Sequence, residues 1–314
     1  MHDPSRGAWQ RWGWVLRWGG TAAGIAYIAT LIDLDDVKGA AAKISAAALV
    51  GAIALVALNV VAGAARWRVL LTAYGAQTRP TFARATRLYF ISFFYNNYLP
   101  GAVAGDVVRG VVTRDVFGDR GATAGLAVVL VERALGLFGV FLLLAIGLGA
   151  AGGAIDTGSL WVWSALGIAG SLVLVLALPF ARKLAPLLPG PLRAIAERVP
   201  ALSSPSSFVI AALLSVATQA LIALAGWILL RAIDPSVGLG ASLLIVPLAA
   251  ATTFLPITVG GAGAREAVYV TLGASLFHMP RADALAASLA LWLAHLVVGA
   301  VGGVIQLLDR SPRG

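Results

Sequence analysis

The sequence predicts an all-α polytopic membrane protein of about six spanning helices plus two oppositely oriented re-entrant hairpins in an inverted-repeat arrangement. Three observations lead there. Of 314 residues, 60% are hydrophobic and 12% charged, at mean hydropathy +0.90, whereas a soluble domain carries about a quarter charged residues. Several apolar runs approach the ~20 residues that carry a helix across a bilayer. Two eleven-residue stretches also coincide at five positions, LPGAVAGDVVR from Leu99 to Arg109 and LPITVGGAGAR from Leu255 to Arg265.

Residues 1–314 read as a single membrane domain. In segment 1–18, Trp9, Trp12, Trp14 and Trp18 interleave with Arg11 and Arg17 as an interfacial anchor. It has no small-residue cleavage site, so no removable signal peptide is expected. The first apolar run, 15–32, leads to an acidic stretch, 33–43, and the second is 44–65. Residues 66–87 follow with Arg66, Arg68, Arg79, Arg84 and Arg87 and no acidic residue. The positive-inside rule places that segment and both termini in the cytoplasm and residues 33–43 outside.

Segment 88–105 is apolar but broken by Asn96, Asn97, Pro100 and glycines, and a second arginine-rich stretch follows it. A full crossing would put those arginines outside, so a hairpin that dips in and returns is the better fit. Irregular backbone at that depth must be buried in protein or line a wet cavity. Residues 121–150 then run outward, 160–180 return, 181–207 form a basic, Pro-rich loop, and 208–230 run outward again. The second broken segment, 239–277, becomes a hairpin from the outer face, because 284–308 must end beside Arg310 and Arg313 inside.

Pro100 and Arg109 recur as Pro256 and Arg265, each displaced by 156 residues. The flanking order, span–hairpin–span, is shared by 44–150 and 208–308 with inverted sense. Paired broken segments in corresponding halves are the best sequence pointer to a transporter's binding site.

Charges at membrane depth cost ~2.5–3.5 kcal/mol each on insertion scales and face partners or water. Asp106 and Arg109 stand three apart, a spacing that shares a helix face. Glu132 and Arg133 lie ~12 Å into an apolar run at helical rise. Arg265 and Glu266 follow the second glycine stretch. Adjacent helical residues diverge, so each of the last two pairs is expected to seek partners elsewhere, for instance Glu132 with Arg109 or Arg265. The arginines suit bidentate phosphate recognition, and amides exposed at a helix start suit an anion. The alternative is a set of ion pairs that only fix the hairpins. Asn96 and Asn97 serve equally to bond a headgroup or to satisfy free carbonyls. His295, Thr218 and Gln219 read as packing residues, with a proton relay at His295 the less favoured reading.

The chain has no cysteine, which excludes thiolate chemistry and Cys-based metal sites. Its net charge of +9 lies in loops between apolar runs, where it serves topology and anionic headgroups rather than nucleic acid. The glycine stretches lack the strand–turn–helix context of a nucleotide fingerprint, and no cofactor is implied.

In order and spacing, NNYLPGAVAGDVVRG, ERALGL and PITVGGAGAREA resemble the transmembrane flippase domain of lysylphosphatidylglycerol synthases and its stand-alone relatives, over roughly residues 15–308. That resemblance implies a protein of the bacterial cytoplasmic (inner) membrane that moves a lipid between leaflets without being an enzyme. It implies roles for Asn97, Pro100, Gly101, Gly105, Asp106, Arg109, Glu132, Arg133, Pro256, Gly260, Gly261, Gly263, Arg265 and Glu266, to which the residues themselves add Asn96. Relatives usually carry Gly-Gly before the Asp, where this chain has Ala104 and Gly105. Few residues follow the last span, so lipid aminoacylation is not expected. Membrane phospholipids are the expected partners, and Trp- and Ala-rich outer faces allow a homodimer. The rival readings are a secondary transporter of a small anion, a partner of a lipid-modifying enzyme and, least, an enzyme acting on a lipid-linked phosphate.

Overall fold

A computed structural model describes residues 4–99, 104–151, 160–252 and 261–309, and among them the chain is helical without strands. Pro100, Gly101, Pro256 and Gly260 lie outside the described residues. The helices are α1 (Pro4–Leu31), α2 (Leu34–Ala42), α3 (Ala46–Ala73), α4 (Phe82–Tyr98), α5 (Ala104–Val112), α6 (Gly121–Ala151), α7 (Leu160–Ala177), α8 (Ala181–Leu184), α9 (Gly190–Arg198), α10 (Pro205–Ile233), α11 (Leu239–Ala251), α12 (Ala264–Phe277) and α13 (Arg281–Leu308). Side-chain caps start several of them. Ser45 accepts from the Ala48 N–H, Thr81 from Arg84 and Ser204 from Ser207. These caps satisfy backbone donors that hydrocarbon would leave unpaired.

Five helices are long and apolar enough to cross a membrane: those of α3, α6, α7, α10 and α13. The sixth span expected at 15–32 falls in α1, which is not among the five; Arg17, Gly19, Gly20, Thr21 and Tyr27 dilute its apolarity. The expected bounds also shift. The second span runs on to Ala73 rather than stopping at 65, and the first hairpin begins at Phe82 and returns to Val112.

Hydrogen bonds and ion pairs sort the helix ends onto two sides. On one, Ser203 N–H donates to Ala73 O (2.7 Å), Gln77 N–H to Val116 O (2.9 Å), and Arg87 pairs with Asp309 (2.7 Å). On the other, Lys43 pairs with Asp283 (3.0 Å), and the Trp227 indole donates to Val237 O (3.1 Å). α4 therefore leaves, and α5 returns to, the side that holds residues 74–81. α11 and α12 form the opposite hairpin, with Val237 and Met279 in one apolar cluster and Phe277 packed near Leu244 and Leu248.

The packing is exchanged between halves as an inverted repeat requires. α4 lies along α13 as α11 lies along α6, α5 packs on α6 as α12 packs on α13, and α3 and α10 form the central pair. Small residues set these contacts. A Cβ at Gly302 of α13 would sit 2.0 Å from Phe90 O of α4, and one at Gly105 of α5 would sit 1.9 Å from Ser92 O. α7 is peripheral: it packs along α6 and exposes Trp161, Trp163 and Leu166.

Gly302→Ala is expected to cost ~1–3 kcal/mol through overpacking, read as a lower unfolding midpoint in detergent. Gly170→Ala on α7, where nothing lies within 4 Å, is expected to leave the midpoint unchanged. Equal midpoints for the two variants would refute the close α4–α13 contact.

Candidate functional site

Arg66 overturns the expectation that it belongs to a basic loop. α3 continues through Trp67, Leu70, Leu71 and Ala73, all buried, and stops only at Gly75, where φ is 70°. Arg66 is thus carried inside the bundle, 8% exposed. Its Nη2 and Nε donate to Glu132 Oε1 (2.8 and 3.2 Å), and Nη1 donates to Ser215 and Thr218 of α10 (3.3 and 3.2 Å). Thr218 is therefore a partner of a buried charge rather than packing alone.

Glu132, on α6 and 2% exposed, is the hub. Its Oε2 accepts from Arg109 Nη2 of α5 at 2.5 Å, and Oε1 also accepts from Tyr89 Oη of α4 at 2.9 Å. Arg109 lies between two rings, 4.4 Å from the Tyr89 centroid and 5.0 Å from that of Trp67. The expected Asp106–Arg109 pair is the weaker link at 3.4 Å. Asp106 binds Arg133 instead, at 2.6 Å from Nε and 2.5 Å from Nη2. Asn96 donates to Asp106 Oδ1 (3.2 Å) and accepts the Gly105 N–H (2.9 Å), which fixes the start of α5 on α4.

Among the described residues, the network holds Arg66, Arg109 and Arg133 against Glu132 and Asp106, one positive charge in excess. Nε and Nη1 of Arg109 are buried with no hydrogen-bond partner among the described residues. A buried guanidinium with spare donors favours an anionic oxygen acceptor. Tyr89, Ser92 and Asn96 supply the polar side of α4 at spacings of three and four, which one helix face brings together.

The second broken segment forms a smaller, separate centre. Arg265 and Glu266 pair directly, against the expectation that neighbours diverge: Glu266 Oε1 takes both Nε (2.8 Å) and Nη2 of Arg265. The pair forms because Glu266 curls back over the start of α12, where Oε2 accepts the Gly263 N–H at 2.7 Å, and the long arginine side chain follows it. Gly261 and Gly263 have φ of 82° and 84°, and Gly24 of α1 approaches Gly263 so closely that a Cβ at Gly24 would lie 2.8 Å from its Cα. Arg265 stands 5.7 Å from the Trp292 ring of α13. Glu132 thus pairs with Arg109 and Arg66, and Arg265 is taken by Glu266.

Asn97 stays outside both centres, donating to Phe93 O of its own helix (2.8 Å). His295 stacks on Phe93 at 5.8 Å with Nδ1 2.8 Å from Leu291 O. The tips of both hairpins, where a polar cavity between them is expected, lie outside the described residues. A cavity of about 810 Å³ lies between α4, α5 and the end of α13, lined by Arg84, Arg87, Arg114, Asp115 and Asp309 and by the aliphatic Leu88, Ile91 and Val108. Ile91 and Val108 adjoin Ser92 and Arg109 in sequence, so this cavity and the ion network are built on the same two helices.

Removing one partner of a buried ion pair costs ~3–5 kcal/mol because the other charge is stranded. Glu132→Ala strands two arginines and is expected to fall in that range, whereas Arg133→Ala, with Arg133's side chain 27% exposed, is expected to cost less. Denaturant titration in detergent reads both; equal stability of Glu132→Ala and the wild type would contradict the hub.

The family model for the lysylphosphatidylglycerol synthase TM region matches residues 14–303, nearly the whole chain. Among curated proteins none matches the chain. With five helices of spanning length and apolarity, this integral membrane protein belongs to the lysylphosphatidylglycerol synthase transmembrane-region family.

Proposed function

We propose that the protein is a lipid translocase, moving a phospholipid between leaflets while its acyl chains stay in the bilayer. The observation that carries this reading is Arg109, buried in the ion network with two N–H donors that find no acceptor among the described residues. A headgroup phosphate is the acceptor it lacks. It would compete with Glu132 for Arg66 and Arg109, so the carboxylate holds the arginines when the site is empty and releases them to the ligand. The cavity along α4 and α5 supports the same reading, because its charged groups, with Arg84 in excess of the Arg87–Asp309 and Arg114–Asp115 pairs, and its aliphatic side chains match a lipid's own polarity. Family membership relates the chain to membrane lipids. Glu132 and Asp106, the two acids of the network, are both engaged by arginines, which fits ion-pair exchange rather than base catalysis.

In this reading the side holding residues 74–87, 113–120 and 181–204 is cytoplasmic in a bacterial inner membrane. It carries Arg79, Arg84, Arg87, Arg114, Arg182, Lys183, Arg193 and Arg198, whereas the other side carries Asp33, Asp35, Asp36, Asp234 and Asp283 among few bases. Because the chain has no cysteine, Thr78→Cys and Ser236→Cys report orientation without background. An impermeant maleimide added to intact cells is expected to label Ser236→Cys and to spare Thr78→Cys; the opposite pattern would invert the topology.

Leaflet exchange of fluorescent phospholipids in liposomes tests the activity. The wild type is expected to exchange them, and an Arg109→Ala, Arg265→Ala double variant that stays folded is expected to lose about tenfold or more in rate, ~1.4 kcal/mol in barrier. Uptake of inorganic phosphate without lipid exchange would replace this reading with a small-anion transporter.

A further inference from the structure

A second cavity, of about 780 Å³, lies against α6, α7 and α10 and shares no described lining residue with the α4–α5 cavity. Its walls are α7 and α10, represented by Val175, Leu176, Val209 and Leu213, and its floor is Phe138 and Leu142 of α6. It exists because α7 packs along α6 and stands off from α10. Among the described residues that line it, one is charged. Lys183 of α8 sits at the mouth with Ala201 and Leu202, exposed and paired with no described carboxylate.

Three features define the occupant. The mouth lies on the basic side, beside the bond from Ser203 to Ala73. From Pro205 at the mouth to Val216 at the far end, α10 rises ~16 Å, about half the ~30 Å hydrocarbon thickness. The cavity therefore has the depth of one leaflet's acyl chains, within the ~300–1,000 Å³ range of small-molecule sites. An unpaired ammonium at headgroup level attracts negative charge.

We propose that this groove holds one anionic phospholipid of the basic-side leaflet, its acyl chains filling the gap between α7 and α10 and its phosphate on Lys183. The lipid supplies the packing that α10 does not give α7. This site is separate from the ion network and does not depend on the translocase reading.

The test uses the purified, delipidated full chain in detergent, titrated with phosphatidylglycerol or phosphatidylcholine of identical chains and read by native mass spectrometry. A single interfacial lysine is expected to favour phosphatidylglycerol about fivefold, and Lys183→Gln is expected to erase that preference. Because Lys183 is exposed, this variant is expected to fold normally. A phosphatidylglycerol with a photoreactive acyl chain is expected to label α7 and α10, and Val209→Trp, at a position 56% exposed, is expected to displace the label. Equal retention of both lipids, a preference that survives Lys183→Gln, or label spread evenly over the lipid-facing helices would each overturn the proposal.

Discussion

One carboxylate, Glu132, binds two guanidinium groups from different helices within hydrocarbon depth, and the rest of the bundle is arranged so that this is tolerable. Each of these charges is costly to remove from water, and the cost is offset only when nearly every donor and acceptor finds a partner. Arg66 meets this demand through Glu132, Tyr89, Ser215 and Thr218. Asp106 does so through Arg133, Asn96 and Ser92. These bonds join α3, α4, α5, α6 and α10. The first hairpin is therefore held by directional polar contacts, in a solvent where apolar helix faces gain little by meeting one another.

The two halves share their packing and differ in their chemistry. At the displacement of 156 that relates Arg109 to Arg265, Glu132 corresponds to Ser288 and Arg66 to Ile222. The second hairpin therefore has no hub to bind, and its arginine is taken by the neighbouring Glu266. Ser288 is fully buried, with its hydroxyl unpaired. The fold is thus symmetric as backbone and polarised as an electrostatic object, with its excess positive charge beside the hairpin that opens from the basic side.

The order of apolar runs, the two Pro/Gly-broken segments and the contrast between the acidic 33–43 and basic 66–87 stretches were enough to lay out both hairpins and their opposed sense. The candidate site was legible in part. Glu132, Asp106 and Arg109 stood out because charge is rare in apolar sequence. Arg66 did not, since it follows an apolar run already long enough to span, and only the buried face of Trp67, Leu70 and Leu71 shows that the helix goes on. Tyr89 was hidden among aromatic neighbours, although Tyr89, Ser92 and Asn96 fall on one helical face. The Arg265–Glu266 pair was misjudged because the spacing rule describes a helix interior, and these residues occupy a first turn.

The sequence by itself determined that this chain lives in a membrane, in what order its long apolar helices and broken segments follow one another, and which residues are too costly to bury without purpose. Those properties follow from local composition, since transfer free energy and helix periodicity act residue by residue. Which arginine meets which carboxylate was decided only in three dimensions. Glu132 had candidates in several segments, and the choice of Arg66 and Arg109 depends on the close approach of α3, α5 and α6, set by helix packing that no single segment encodes.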